Sequence, residues 1–290
     1  MARILVTGAN GQVGTEVVAE LLRRAAEVRR GAVVDVVAAG HDDLDVSDRD
    51  AVMAAVLSLE PEFLIHLAAF TAVDSCETES DRAWSVNALG TRHVAEAAQL
   101  VHAHVGYVST DYVFDGTLDR PYTEWDEPNP ISCYGRSKLA GERELGENGV
   151  IVRSSWLIGR NGPNFAKTVL RMSKEGLPLR FVSDQRGSPT IAHDLAGRLV
   201  SLVLEKRHGL FHVTNQGATS WYGLARAVLA AAGEDPERVE AISTEELDPP
   251  RAAKRPANSV LDNAALRLSG IELLPEWEES TAKLVSQLAS

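Results

Sequence analysis

The sequence of 290 residues contains few cysteines and no long apolar run. Its two cysteines, Cys76 and Cys133, form no CxxC motif. We therefore expect neither a disulfide framework nor a zinc site, and a reducing cytoplasm is the default compartment. No apolar stretch reaches the roughly 18 residues that a membrane-spanning helix needs. The start of the chain lacks a charged segment followed by a long apolar run, so we expect no signal peptide.

Positive charge is also scarce, since 29 Lys and Arg stand against 41 Asp and Glu and give a formal charge of −12. Nucleic acids and anionic membranes select basic patches, so we expect neither as a partner. An anionic substrate would need a local basic pocket within this acidic protein. The length allows a large core, built as one large domain or as a domain with an added lobe.

Short apolar runs alternate with helical patterns in the first half of the chain. The runs predict strands at residues 4–7, 33–39, 63–67, 105–109 and 150–153. Helices are predicted at residues 13–26, 48–59 and 80–103, with one more that contains Tyr134 and Lys138. Apolar strands separated by helices predict a doubly wound parallel sheet of the α/β class, buried on both faces.

The rhythm changes after Arg153, where strands become fewer. Helices are predicted at residues 164–174, 192–206, 221–232 and 275–289, and strands at residues 179–182 and 210–213. We predict a Rossmann domain over residues 1–155 and a smaller lobe over residues 156–290. Some elements around residues 185–235 are expected to return to the first domain.

Three glycines, Gly8, Gly11 and Gly14, lie between the first predicted strand and the first predicted helix. Such glycines permit a tight turn, a close backbone approach to a diphosphate, and close packing of helix on strand. The free N–H groups and positive dipole end of the helix then face the diphosphate. This context predicts dinucleotide binding rather than a simple turn, with amides of Gly11, Gln12 and Val13 as contacts.

The end of the second strand faces the adenosine ribose in such domains and selects between NADH and NADPH. Here His41 could assist a 2′-phosphate, whereas Asp42 or Asp43 could oppose one, so the sequence leaves the choice open. Asp45 and Val46 are predicted to lie against the adenine.

Tyr134 and Lys138 are four residues apart, which places them on one face of a helix. A lysine cation near a tyrosine stabilises the phenolate and lowers the tyrosine pKa, which allows proton exchange with an alcohol or a ketone. The same spacing also arises by chance in many helices.

Several segments in this order resemble the extended short-chain dehydrogenase/reductase family. They are the glycine loop and residues 66–69, 86–91, 109–114 and 134–138. Four further segments resemble the dTDP-4-dehydrorhamnose reductases within that family: residues 71–74, 153–156, 184–190 and 255–259. The resemblance covers residues 3 to about 285.

The resemblance implies an oxidoreductase that uses NADPH or NADH and acts on a dTDP-sugar. The implied reaction reduces the 4-keto group of dTDP-4-dehydro-L-rhamnose to give dTDP-L-rhamnose, a precursor of cell-envelope polysaccharide. By the same resemblance Thr110 binds the substrate carbonyl, Tyr134 donates the proton and Lys138 binds the nicotinamide ribose. Asn87 matches a helix asparagine that anchors a water in some relatives, and helix packing is an equal alternative.

The resemblance also implies two sets of contacts. The cofactor contacts are Gly8, Gly11, Gln12, Val13, Gly14, Asp45, Val46, Ala68, Ala69, Thr71, Tyr134 and Lys138. The substrate contacts are Thr110, Asp111 and Trp156, with a core aromatic as the alternative role of Trp156.

No metal is expected in the site. Some relatives hold a magnesium ion through acidic residues at a dimer contact. Glu16 matches one of these acidic positions, but His193 stands at another. A monomer and a homodimer both remain open.

Other functions are compatible with parts of this pattern. The enzyme could reduce another nucleotide-linked 4-keto-deoxysugar, and Asp111 beside Thr110 leaves a dehydratase or an epimerase open. A non-catalytic nucleotide-binding regulatory subunit would be free to lose Thr110, Tyr134 or Lys138, and all three are present.

Overall fold

A parallel six-stranded sheet lies at the centre of the computed structural model, which describes residues 2–27 and 34–289. Its strand order is β2-β1-β3-β4-β5-β10, in the numbering that follows. The strands of the described residues are β1 Ala2–Thr7, β2 Val34–Ala39, β3 Phe63–His66, β4 His104–Thr110, β5 Gly149–Ser154, β6 Leu157–Ile158, β7 Arg180–Val182, β8 Arg186–Gly187, β9 Thr190–Ile191, β10 Gly209–His212, β11 Thr219–Ser220 and β12 Glu240–Ile242.

Helices cover both faces of this sheet and form most of the smaller lobe. They are α1 Gln12–Glu27, α2 Arg49–Leu59, α3 Val73–Thr78, α4 Ser80–Trp84, α5 Gly90–Leu100, α6 Cys133–Leu145, α7 Phe165–Lys174, α8 Ala192–Leu204, α9 Trp221–Ala231, α10 Ala264–Leu268 and α11 Trp277–Ala289. Short 3₁₀ turns lie at Asp111–Val113, Pro236–Arg238 and Thr244–Glu246. No helix in the described ranges is long and apolar enough to cross a bilayer.

The doubly wound parallel sheet predicted from the sequence is confirmed. All five strands expected in the first half join it, and the run expected at residues 210–213 adds β10 at the edge beside β5. The predicted second strand began at Val33, which lies outside the described residues. The strand expected at residues 179–182 is β7, which pairs with β12 in the smaller lobe.

The single helix predicted over residues 80–103 is wrong in detail. The chain forms α4, then a π-helical turn at Ser85–Leu89, then α5, and the helix ends at Leu100. A π turn widens the backbone by one residue and often marks a functional site. Here it contains Asn87, which is buried against the candidate site.

Two apolar layers hold the sheet between its helices. On one face α1 packs on α8, with Val17, Leu21 and Leu199 fully buried. On the other face α2 packs on α5, with Val56 and Ala98 buried. Because both faces are covered, the strands are apolar almost throughout, as the sequence predicted.

A third apolar cluster forms the core of the smaller lobe. It contains Trp156, Ile158, Leu224, Val228 and Val285. Residues 192–212 interrupt this lobe, since α8 and β10 pack in the main sheet layer. We propose the division at residue 155 as the domain boundary on this basis.

Candidate active site

A cavity of about 380 Å³ opens where β1, β4 and β5 end, the edge at which doubly wound sheets bind ligands. A second cavity of about 670 Å³ adjoins it, and both are lined by Gly8, Gly11 and Ala69. Of the predicted contacts, the first cavity is also lined by Gln12, Val13, Gly14, Thr71, Thr110, Asp111, Tyr134, Lys138 and Trp156. The second is also lined by Asp45, Val46 and Ala68. Each predicted site residue therefore lines one of two joined cavities.

At the boundary between the two cavities, the backbone of the glycine loop packs directly on other backbone atoms. Gly8 has φ +66°, and a Cβ there would lie 2.5 Å from the Ala68 nitrogen. A Cβ on Gly14 would lie 2.2 Å from the Gly8 oxygen. Helix α1 begins at Gln12, so its first N–H groups point into the cavity region. The buried Oε1 of Gln12 has no hydrogen-bond partner. This cradle fits the diphosphate of a dinucleotide.

The second cavity contains charges of both signs. Ser47 donates its N–H and its hydroxyl to Asp45 Oδ1, at 2.9 and 2.7 Å, and these bonds lower the Asp45 pKa. His41 and Arg82 also line this cavity. Arg82 lies 4.5 Å from the centre of the Phe70 ring, and sequence reasoning missed it because it sits in a helix far from the second strand.

Four residues form what we call the polar wall of the first cavity: Thr110, Asp111, Tyr134 and Lys138. The Thr110 hydroxyl donates to Asp111 Oδ1 at 3.0 Å and accepts from the Tyr112 N–H at 3.2 Å. Burial raises the pKa of Asp111 to about 7, although the hydroxyls of Ser259 and Thr110 oppose this rise. Oδ2 of Asp111 is buried without a hydrogen-bond partner.

The pKa values of Tyr134 and Lys138 are controlled mainly by burial. Burial raises the pKa of Tyr134, while the nearby Thr110 hydroxyl opposes the rise. Burial lowers the pKa of Lys138 to about 7. The Lys138 ammonium lies 4.2 Å from the centre of the Tyr107 ring. Desolvation penalises the charged form of each group, so burial opposes the lowering of the tyrosine pKa that the Tyr134–Lys138 spacing predicts.

Helix α6 is fixed in place from two sides. Ser132 caps it by accepting the Gly135 N–H at 3.1 Å. Asn87 accepts the Phe70 N–H at 2.8 Å and donates to the Ser137 hydroxyl at 3.0 Å. Asn87 thus ties the loop after β3 to α6, so the structure favours its packing role.

Trp156 and Trp221 form the aromatic wall of the same cavity. Their rings stack at 3.6 Å between centres and 7° between planes. Trp156 has φ +44°, a region that bulky residues rarely adopt. A Cβ on Gly187 would lie 2.3 Å from the Trp156 ring, so the tryptophan packs directly on backbone. Trp221 and Tyr112 also line the cavity. The sequence leaves Trp221, which follows the Ser220 cap, equally open to sugar contact and to packing, and Tyr112 was not among the predicted contacts.

Glu16 lies in a separate cavity of about 370 Å³ beside His193. Its carboxylate is 3.2 Å from His193 Nδ1 and 3.5 Å from Arg160 Nε. Within residues 2–27 and 34–289, no group of three or more acidic, histidine or cysteine side chains could hold a metal ion. Arg160, Asp194 and Lys283 also line this cavity.

Comparisons with known proteins agree with this geometry. The chain is 40% identical over 284 residues to a dTDP-4-dehydrorhamnose reductase of Streptomyces griseus, covering 95% of this chain and 90% of that protein. It is 38% identical over 279 residues to a dTDP-4-keto-6-deoxy-D-glucose reductase of Streptomyces niveus, covering 95% and 93%.

A solved structure has the same fold over nearly the whole chain. It is the dTDP-4-dehydrorhamnose reductase of Bacillus anthracis in complex with NADP, with a TM-score of 0.90 and 38% identity, covering 99% of this chain and 100% of that one. The family model for the RmlD substrate binding domain matches residues 2–290. The chain therefore belongs to the RmlD substrate binding domain family.

Proposed function

We propose that this protein is an NAD(P)H-dependent reductase that converts dTDP-4-dehydro-L-rhamnose to dTDP-L-rhamnose. The main observation in support is that the glycine loop, the polar wall and the aromatic wall all line one cavity. The 40% identity to a dTDP-4-dehydrorhamnose reductase over 95% of the chain supports the choice of sugar.

The reaction adds one hydride and one proton to a ketone. The glycine loop and Lys138 would hold a reduced nicotinamide cofactor, which would supply the hydride for the carbonyl carbon. The Thr110 hydroxyl, which donates to Asp111 Oδ1 in the free site, redirects its hydrogen to the carbonyl oxygen and orients that oxygen toward Tyr134. Tyr134 gives its proton to that oxygen, so the product is an alcohol. The positive charge of Lys138 stabilises the resulting phenolate until solvent returns the proton.

The proposed cofactor is NADPH or NADH. Arg82 in the second cavity offers positive charge for a 2′-phosphate, His41 lines the same cavity, and the related Bacillus anthracis structure holds NADP. Asp45 and Asp81 in the same cavity oppose an additional phosphate. We propose that the enzyme works in the cytoplasm, because Cys76 and Cys133 are free thiols as expected in a reducing compartment.

The aromatic wall is the proposed contact of the deoxysugar. The Trp156 and Trp221 indoles offer an apolar surface that suits a sugar methyl group. Asp111 has one unpartnered carboxylate oxygen that could accept a sugar hydroxyl. Its pKa of about 7 makes this contact sensitive to pH.

The test is turnover of the proposed substrate by purified protein. We expect dTDP-4-dehydro-L-rhamnose to be consumed with oxidation of NADPH or NADH, and NMR of the product to show dTDP-L-rhamnose. Absence of turnover with both cofactors would contradict the proposal.

A second candidate is reduction of another dTDP-linked 4-keto-deoxysugar. The 38% identity to a dTDP-4-keto-6-deoxy-D-glucose reductase favours it. The two substrates differ in stereochemistry alone, so the same assay with dTDP-4-keto-6-deoxy-D-glucose distinguishes them by their kcat/KM values.

A further inference from the structure

A buried ion pair lies one helical turn along α6 from Lys138. Glu142 follows Lys138 by four residues on α6, so their side chains are on the same face, one turn apart. Arg153 on β5 binds the Glu142 carboxylate with two hydrogen bonds, Nε to Oε1 at 2.9 Å and Nη2 to Oε2 at 2.7 Å. The two side chains are only 3% and 7% exposed. Neither has a place in the reaction described above.

The titratable groups that face Lys138 from neighbouring strands are neutral. On β3, burial and the Lys138 charge lower the pKa of His66 to about 3. On β4, burial raises the pKa of Tyr107. On α6 itself, burial raises the pKa of Tyr134. Burial lowers the pKa of Lys138, and among the described residues the charge of Glu142 opposes this lowering.

We propose that Glu142 is a positioning residue whose carboxylate keeps the Lys138 ammonium charged, while Arg153 holds that carboxylate in place. The inference rests on the proposed function, because it assigns Lys138 the charge that the reaction needs. The two hydrogen bonds from the guanidinium fix the direction of the Glu142 carboxylate.

Arg153 is held by more than Glu142. Its guanidinium carbon lies 5.1 Å from the centre of the Phe114 ring, in cation–π contact. Phe114 is fully buried and follows the turn that contains Asp111 and Tyr112. The ion pair therefore links β5 to α6 and to the turn after β4, and these last two elements carry residues of the polar wall.

The test compares Glu142→Gln, Glu142→Asp and the double variant Glu142→Gln/Arg153→Met with the unchanged protein. Glu144→Gln is the matched control, since Glu144 is on the same helix but pairs with the exposed Arg92. The double variant removes both charges of the buried pair, a change that proteins tolerate better than loss of one partner. It stays informative if Glu142→Gln alone fails to fold.

Two measurements report the protonation state of Lys138 as a function of pH. One is the pH profile of kcat/KM with the ketosugar. The other is an NMR titration of lysine side chains in the cofactor-free protein, which has six lysines, with Lys138→Met assigning the signal. We expect the basic limb of the profile and the Lys138 titration to move to lower pH by about one unit or more in the double variant. Above the limb, kcat/KM then falls about tenfold per unit.

Glu142→Asp retains the charge and is expected to stay closer to the unchanged protein. A double variant that keeps both the pH profile and the Lys138 titration of the unchanged protein would overturn the inference, because Glu142 would then only neutralise Arg153. A uniform loss of activity at all pH values, without a shifted titration, would overturn it as well. Lack of turnover by the unchanged protein would instead contradict the proposed function, and the NMR titration would still test the inference.

Discussion

The polar wall and the aromatic wall of the first cavity differ in their origin and in the interactions that hold their side chains. The polar wall comes from the main sheet and α6, and its side chains are buried titratable groups whose pKa values are shifted by burial. The aromatic wall comes from the smaller lobe, and its rings are fixed by stacking and by contact with the backbone at Gly187. The first wall therefore determines the chemistry, whereas the second determines shape. Variants should affect rate and pH dependence at one wall, and substrate affinity and stability at the other.

The largest expected effect is at the polar wall. Tyr134→Phe removes the proposed proton donor while keeping the ring, so we expect kcat to fall by about 100-fold or more. Binding of NADPH, measured by fluorescence, should change little because the glycine loop is intact. A variant that retains more than about a tenth of the kcat would show that Tyr134 is not the donor.

The packing of the aromatic wall is tested at Gly187. In Gly187→Ala the added Cβ would meet the Trp156 ring, so we expect the free energy of unfolding to fall by about 1–3 kcal/mol. The control is Gly197→Ala in α8, where a Cβ has nothing within 4 Å; it should gain about 0.5–1 kcal/mol. Urea unfolding measures both. Equal stability of the two variants would mean that Trp156 moves aside at no cost.

A smaller effect is expected at Trp221. Trp221→Leu removes the stacking partner of Trp156, and a stacked pair contributes about 0.5–1.5 kcal/mol beyond area burial. We expect KM for the dTDP-sugar to rise by roughly threefold to tenfold, with the pH profile of kcat unchanged. Steady-state kinetics over a range of pH checks this. A shifted pH profile would show that the aromatic wall also affects the pH dependence, which would contradict the distinction between the two walls.

The smallest effect concerns an ion pair between the two lobes. Arg255 donates two hydrogen bonds to Asp74, at 3.0 and 2.7 Å, and this contact lowers the pKa of Asp74 from 3.8 to about 2. A carboxylate with a lowered folded-state pKa adds stability above its unfolded pKa, and this stability is lost as the pH falls from about 3.8 through about 2.

Asp74→Asn should therefore lower Tm at pH 7 by about 2 °C, a small change because Asp74 is a third exposed and screened by water. The difference from the unchanged protein should vanish by about pH 2. Calorimetry at several pH values measures it, with the exposed Asp119→Asn as control. A Tm difference that is independent of pH would exclude the ion pair as its cause.

Much of the fold was predictable because its signals are local. Apolar runs of four to seven residues predicted the strands, and Gly8, Gly11 and Gly14 predicted the turn between β1 and α1. The π turn around Asn87 was missed, since no local pattern distinguishes it from an α-helix. Arg82 was missed as a lining residue because it is far in sequence from the motifs it approaches.

The individual strands, the glycine loop and the Tyr134–Lys138 spacing follow from the sequence alone, because each depends on residues close together in the chain. Only the tertiary structure decided the protonation of the site. The pKa values of Asp111 and Lys138 both shift to about 7, since burial penalises charge and burial is a property of the packed protein. The contact between Glu142 and Arg153 likewise forms only in the folded chain, where β5 and α6 pack together.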